Sequence, residues 1–271
     1  MALKLMYITN NPDVAQIADK YGTDMVFIDL ETIGKEERQP GDTVKSHHTL
    51  NDISAVKAVL KKSKLLVRVN PIWENSEYEI NTAINNGADI LMLPYFKTAL
   101  EVEKFISFVN GRAEVMLLLE TREAAENLDL ILEIPGIDRI HIGLNDLHLC
   151  YNMKFMFELL ANGTVDILCE KIKAKHIPYG FGGIARLGEG AIPAEVVIKE
   201  HYRLGSDAAI LSRSFCRCDE ISDLNEIDAI FKDGIAEIRS YETLVSDVSA
   251  DNFQKNHKKL VSAVNEIVNR R

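Results

Sequence analysis

Gly87-Ala88-Asp89-Ile90-Leu91-Met92-Leu93 is the stretch whose reading decides the fold. A glycine takes the left-handed position that closes many helices, a polar residue turns the chain, and a continuous apolar run opens a buried strand. The same junction recurs at Gly22-Thr23-Asp24 before Met25-Val26-Phe27-Ile28. It returns at Gly136-Ile137-Asp138 before Arg139-Ile140-His141-Ile142, and at Gly205-Ser206-Asp207 before Ala208-Ala209-Ile210-Leu211. Between these lie further strand candidates at Leu3–Thr9, Lys64–Asn70, Val115–Thr121 and Ile177–Gly182. Interleaved, the two sets give eight strands, with the Gly-x-Asp junctions leading into the even-numbered ones.

Most of the runs are continuously apolar rather than alternating, the pattern of parallel strands covered by helices. Amphipathic helices are expected over Glu77–Asn86, Ala99–Val109, Arg122–Leu132 and Ala194–Leu204, and Thr49-Leu50-Asn51-Asp52 reads as a capping box opening a helix to about Lys62. Eight strands alternating with helices predict an α/β chain closed as a (β/α)₈ TIM barrel. A doubly wound open sheet is the alternative, but no G-x-G-x-x-G follows the first strand. Asn225–Tyr241 and Asp251–Arg271 both read as helical, so one helix is surplus to the barrel. The expectation is one domain over residues 1–271 with a C-terminal helical extension from about 246, closing the barrel bottom or packing on a neighbouring subunit.

Charged residues make up 27% of the 271, the hydrophobic set 46%, and the net charge is −10. That balance argues against a nucleic-acid or anionic-membrane surface, while leaving room for a local basic pocket. No apolar run approaches the roughly 20 residues that span a bilayer, and the first ten residues are too quickly polar for a signal sequence. A cytoplasmic protein is expected, with its four cysteines (Cys150, Cys169, Cys216, Cys218) reduced. Cys216-x-Cys218 has no further cysteine or histidine nearby in the sequence and is assigned no metal.

In such barrels, chemistry gathers at the C-terminal ends of the strands. Those ends carry Asp29 and Glu31, Arg68 and Asn70, Tyr95, Glu120 and Thr121, Asn145 and Asp146, Gly183, and Ser212 and Arg213. Glu120 closes an apolar run and needs a partner, either a cation or a nearby arginine. With Asp146 on the next unit it forms a carboxylate pair suited to Mg²⁺ or Mn²⁺. Arg68 keeps its charge wherever it is buried. It could stabilise an enolate oxygen or hold a carboxylate, or it could simply pair with Glu31 or Asp29. His47 and His48, in the long loop after the second strand, are candidates for proton transfer. Asp29, Glu31, Gly143, Asn145, Gly183 and Arg213 are candidates for substrate contacts. The glycine-rich run Gly180 to Gly190, with Arg186 and Arg213, could cradle an anion or be an ordinary loop. His141 lies inside a strand and reads as a satisfied core histidine.

These residues, in the order Val26-Phe27-Ile28-Asp29-Leu30-Glu31, Arg68-Val69-Asn70, Gly87 to Pro94, Leu118-Leu119-Glu120-Thr121 and Ile142 to Leu147, resemble the HpcH/HpaI aldolase/citrate lyase family over about residues 24–215. The resemblance implies a pyruvate/phosphoenolpyruvate-type barrel in which Glu120 and Asp146 bind a divalent metal and Arg68 stabilises an enolate. It implies substrates that are 2-keto acids with a hydroxyl at C4, or acyl-CoA esters in the citrate-lyase branch. Aldolase members of that family carry a histidine where this chain has Thr32. The citrate-lyase branch shows Asp-Leu-Glu-Asp followed by a lysine and an arginine, which Lys35 and Arg38 partly echo.

The expectation is therefore a metal-dependent carbon–carbon lyase or aldolase for a small keto acid. A CoA-ester lyase of the citrate lyase beta-subunit type is the first alternative, and a metabolite-binding barrel without turnover is the second. A homo-oligomer is expected from the surplus helix and the resemblance.

Overall fold

The computed structural model describes residues 2–35, 48–218 and 220–270. Eight parallel strands close into a barrel in chain order, each hydrogen-bonded to the next and β8 to β1. They are β1 (Lys4–Ile8), β2 (Met25–Asp29), β3 (Lys64–Arg68), β4 (Ile90–Leu93), β5 (Glu114–Leu119), β6 (Arg139–Ile142), β7 (Tyr179–Ile184) and β8 (Ala208–Leu211). Around them run α1 (Pro12–Tyr21), α2 (Leu50–Lys57), α3 (Ser76–Asn85), α4 (Ala99–Val109), α5 (Arg122–Glu126), α6 (Leu128–Ile131), α7 (Leu144–Cys150), α8 (Glu158–Ala161), α9 (Thr164–Ala174), α10 (Ala194–Leu204), α11 (Leu224–Ser246) and α12 (Ala250–Arg270). The (β/α)₈ barrel with an extra C-terminal helix expected from the sequence is the fold observed.

The Gly-x-Asp junctions perform one repeated task. Their glycines all take positive φ, from +74° to +106°. The backbone N–H groups of Asp24, Asp89, Asp138 and Asp207 donate to the carbonyls of Leu5, Leu65, Val115 and Tyr179 on the preceding strands. Three of the carboxylates return the bond, accepting from the N–H of Leu5 (2.9 Å), Leu65 (2.8 Å) and Val115 (2.8 Å). Asp207 departs from the pattern and instead takes both guanidinium arms of Arg139 from β6.

Helix boundaries differ from expectation where side chains intervene. The helix opening at Thr49 stops at Lys57 rather than near Lys62, because Asp19 of α1 takes the N–H groups of Lys61, Lys62 and Ser63 at 3.2, 2.8 and 2.6 Å. The expected helix over 122–132 is broken at Asn127, which leaves the helical region (φ −96°, ψ 12°). The glycine-rich run does not begin after β7. Residues through Ile184 pair with β8 across a register shift between Gly180 and Gly183. The surplus helix α12 packs against α10 and α8, in the outer helical layer rather than across the barrel bottom. Among the described residues no helix is long and apolar enough to cross a membrane.

Strand periodicity separates two cores. Val26, Ile28, Leu65, Val67, Leu117 and Leu119 face outward into the helical layer. Met6, Met25, Phe27, Leu66, Ile90, Met92, Met116, Leu118 and Ala208 fill the interior. Two residues further along a strand, the side chain returns to the same face. Phe27, Leu66 and Leu118 are thus followed on the interior face by Asp29, Arg68 and Glu120, which places one cation and two carboxylates on top of an apolar plug.

Candidate active site

Asp29 and Glu31 are 2% and 3% exposed and Glu120 is 2% exposed, so all three carboxylates are out of bulk water and require compensation. Arg68 supplies it for Asp29 as a fork, Nε to Oδ1 and Nη2 to Oδ2, both at 2.8 Å. Its Nη1 reaches Glu31 Oε2 at 3.4 Å. Lys35 adds a second cation, with Nζ 2.8 Å from Asp29 Oδ2 and 3.8 Å from Glu31 Oε2. Burial pushes the Asp29 carboxyl up, but Arg68 and Lys35 more than offset this and hold it well below the usual carboxylate range. Burial likewise pulls the Arg68 guanidinium down. The charges of Asp29, Glu31 and Glu120 raise it further than burial lowers it. Of the two sequence readings of Arg68, the structure shows the pairing with Asp29 and Glu31. Arg68 also faces Glu120 across the barrel mouth.

His48 returns to the same spot. Its Nδ1 accepts the Asp29 backbone N–H at 2.9 Å. An acceptor nitrogen carries no proton, so the neutral ring holds its proton on Nε2. Burial lowers its pKa below the ordinary histidine value. His47 lies outside the described residues, as does Arg38.

Glu120 Oε1 accepts the Tyr95 N–H at 3.1 Å, from a residue held at φ +48° directly after β4. Gly143 stands over the other oxygen: a Cβ built there would lie 2.8 Å from Glu120 Oε2. Asp146 is 8% exposed and sits in the first turn of α7, the helix that starts directly after β6 and Gly143. Among the described residues no group of three or more His, Cys, Asp and Glu side chains is placed to hold an ion. Glu120 and Asp146 are all-oxygen donors on neighbouring units. Mg²⁺ typically takes one or two carboxylates and keeps several waters, so this donor set fits a hard divalent cation and does not fit a closed zinc site.

Asn145 lies in the first turn of α7, beside Asp146, and Arg213 lies two residues after β8. Asn145 and Arg213 are exposed, and Arg186 pairs with Glu189 at 2.7 Å in a half-exposed position. Gly183 lies within β7 instead of in a loop beyond it. His141 is 1% exposed with Nε2 against the Gly182 carbonyl at 3.1 Å, but its Nδ1 has no partner, so it is a core histidine only half satisfied.

Residues with no local sequence signal complete the site. Glu79 of α3, 6% exposed, accepts from Asn70 Nδ2 at 2.8 Å and from Trp73 Nε1 at 3.1 Å. Asn70 Oδ1 in turn accepts the N–H groups of Thr32 (2.8 Å) and Ile33 (3.0 Å), fixing the turn that carries Glu31. Lys35 is marked in the sequence by the lysine of the citrate-lyase branch that it echoes, and its spacing, four residues after Glu31, fits the contact observed.

The family model for HpcH/HpaI aldolase/citrate lyase matches residues 4–158. The chain belongs to that family, and its barrel is of the lyase/aldolase type. Among solved structures it is similar to an HpcH/HpaI aldolase from Desulfitobacterium hafniense DCB-2, at 15% identity and TM-score 0.59, covering 92% of this chain and 95% of that one. It is also similar to an HpcH/HpaI aldolase/citrate lyase family protein from Burkholderia cenocepacia J2315, at 15% identity and TM-score 0.60, with 83% and 95% covered. Macrophomate synthase matches at 16% identity and TM-score 0.57, with 78% and 77% covered. At these identities the structures speak for the fold. No curated protein matches the chain.

Proposed function

We propose that this chain is a divalent-metal-dependent lyase or aldolase that breaks or makes a carbon–carbon bond in a small 2-keto acid, through an enolate. The observation that carries the reading is the layer formed by Asp29, Arg68 and Glu120 on the interior face at the C-terminal end of the barrel. Arg68 is fixed on one edge by Asp29, leaving Nη1 in only a long contact with Glu31. The Nη1 edge could donate, without turning, to an oxygen on which negative charge develops, and in a water-poor site such a preset donor is worth several kcal/mol, of the order of 10²–10³ in rate.

Lys35 lowers the cost of keeping two carboxylates beside the reacting centre. When the bond between C3 and C4 of a 4-hydroxy-2-keto acid breaks, its electron pair moves towards the keto group and the C4 hydroxyl gives up a proton. With Nδ1 accepting the Asp29 N–H, His48 keeps its proton on Nε2, so it could donate a hydrogen bond to the C4 oxygen while the hydroxyl proton passes to water. Glu120 and Asp146 are the residues that would hold Mg²⁺ or Mn²⁺, which supplies Lewis acidity to the keto oxygen and its neighbouring carboxylate.

Calorimetric binding of oxalate, a mimic of the pyruvate enolate, tests this directly. Oxalate should bind only with Mg²⁺ or Mn²⁺ present, and Glu120→Ala should abolish it. Wild-type protein that binds neither metal nor oxalate would leave a metabolite-binding barrel as the better reading. The CoA-ester alternative has one feature in its favour, a groove of about 480 Å³ at the same end of the barrel, lined by Leu50, Trp73, Asn75, Tyr78 and Glu79. Competition by free CoA for a bound substrate analogue would favour that branch.

A further inference from the structure

Outside the mouth, three side chains form a second reactive group. Cys216 and Cys218 lie in the loop between β8 and α11, with their sulfurs 3.3 Å apart. Tyr7, on the outward face of β1, closes the group. Its hydroxyl donates to the Cys216 carbonyl at 3.1 Å and lies 3.0 Å from Cys218 Sγ. A tyrosine hydroxyl has one proton. Since that proton goes to the Cys216 carbonyl, the contact with Cys218 must be made by the thiol donating to the tyrosine oxygen. The Cys218 sulfur then accepts from Cys216. The hydrogen bonds run Cys216 to Cys218 to Tyr7 and back to the Cys216 backbone. They hold two thiols against each other on a short loop. Tyr7 is itself pinned edge-on against Phe231 of α11, ring centroids 4.8 Å apart.

The spacing decides between two uses of a paired thiol. Two thiolates on one tetrahedral metal at about 2.3 Å each stand about 3.8 Å apart. These sulfurs are closer than that, and among the described residues no third His, Cys, Asp or Glu ligand joins them. A disulfide needs about 2.05 Å. Closing the remaining gap of about 1.2 Å asks for rotation about the Cα–Cβ bonds in a loop, with no helix or strand to disrupt. Exposure also differs between the two. Cys216 is 4% exposed and Cys218 is half-buried, so Cys218 is the nearer of the two to solvent. The hydrogen bond to Cys218 and burial raise the Cys216 thiol well above its ordinary pKa.

We propose that Cys216 and Cys218 are a reversible thiol–disulfide site that closes on exposure to a hydroperoxide. The Cys218 sulfur attacks the peroxide oxygen, the O–O bond breaks, and water leaves as a sulfenic acid forms on Cys218. The Cys216 sulfur then attacks the Cys218 sulfur and releases the second water. Two thiols and one hydrogen peroxide thus become one disulfide and two waters. A dithiol reductant reverses the step, taking the disulfide onto itself and restoring both protons. The other cysteines have no such arrangement. Cys169 is buried with its thiol pushed up by burial, and the Cys150 sulfur points to the Glu120 carbonyl at 3.8 Å.

The test is intact-mass and peptide mapping of the folded wild-type chain after stoichiometric hydrogen peroxide and alkylation of the remaining thiols. The expected result is loss of two hydrogens, mapped to the peptide holding both Cys216 and Cys218, with Cys150 and Cys169 alkylated and full recovery after dithiothreitol. Cys216→Ser should stop the loss of hydrogen and leave a sulfenic acid on Cys218 that a dimedone probe traps. Irreversible oxygen addition at Cys218 in wild type, oxidation at Cys150 instead, or unchanged thiols at both positions would each overturn the proposal.

Discussion

The Arg68 guanidinium grips the Asp29 carboxylate at two points, Nε–Oδ1 and Nη2–Oδ2, each 2.8 Å long, across the register that pairs β2 with β3. Both groups are nearly sealed from solvent, with side chains 14% and 2% exposed. Breaking a buried pair from one side leaves an uncompensated charge, which commonly costs about 3–5 kcal/mol. Asp29→Asn should therefore lower the denaturant midpoint by an amount in that range, although the residue is a near isostere. An unchanged midpoint would mean that Glu31 alone neutralises Arg68 and Lys35.

Arg68→Lys isolates the catalytic side of the same pair. Charge is kept, but the fork that fixes the guanidinium plane is lost. If Arg68 stabilises an enolate, kcat/KM should fall about 10²-fold or more while metal binding stays intact. A fall confined to KM would place Arg68 in ground-state substrate binding instead.

Gly143→Ala probes the space beside the carboxylate. The added Cβ would sit 2.8 Å from both Glu120 Cβ and Oε2, closer than carbon normally approaches either. Glu120 must then turn, and a displaced ligand typically costs about 10–100-fold in metal affinity. Mn²⁺ titration followed by electron paramagnetic resonance reads this apart from turnover. Affinity equal to wild type would show that Glu120 is not a ligand.

Much of this was legible before the fold was known, for an identifiable reason. The Gly-x-Asp junctions are local, and each encodes a helix end and a strand start within three residues, so all four even-numbered strands fell where the sequence placed them. The inward row of Asp29, Arg68 and Glu120 was legible for the same reason, since strand parity carries the interior face forward by twos. What stayed hidden depends on distant partners. Asp19 stops α2 from across more than forty residues of sequence, and Glu79 looks like any helical surface acid until Asn70 and Trp73 are seen to meet it. The segment from Leu144 to Ala174 holds three helices that were not separated, two of them too short to show a period. Gly183 was placed in a loop because a bulge lets β7 continue through glycines that read as a terminator.

The attachment of α12 rests on Glu200 of α10, a fully buried acid. It accepts from Arg203 at 2.7 Å, from Asn256 at 2.9 Å and from His257 at 3.0 Å, the last two belonging to α12. Glu200→Ala should remove one of the two counter-charges of Arg203, Asp166 keeping the other at 2.6 and 3.0 Å, together with the anchor for α12, costing about 1–3 kcal/mol. Limited proteolysis should then cut near Asp247–Ser249 while the barrel stays folded. Cleavage no faster than in wild type would show that Leu260 and Val264 hold the helix without it.

Two buried histidines set the acid side of stability. Burial holds His141 down to about 4 and His201 down to about 3, against 6.5 for an exposed ring. His201 is stacked face to face on Phe181 at 3.8 Å, and its Nδ1 meets Ser206 Oγ at 2.8 Å, an environment suited only to the neutral ring. Below about pH 6.5 the unfolded chain binds a proton at each of these positions and the native chain does not. Stability is therefore full above that pH and falls as the pH drops towards 4, by about 1.4 kcal/mol per pH unit for each histidine. Asp29 cannot contribute to this slope. Its pKa is depressed, so its share persists down to the unfolded value near 3.8 and is lost only below it. Denaturant midpoints between pH 7 and 4.5 should thus slope at about twice the single-histidine value or more, since His48, also lowered by burial, adds in the same sense, and His201→Asn should remove one histidine's share of the slope even if it lowers the midpoint everywhere. A variant whose midpoint drops uniformly, with the slope untouched, would show that His201 is already protonated in the native barrel.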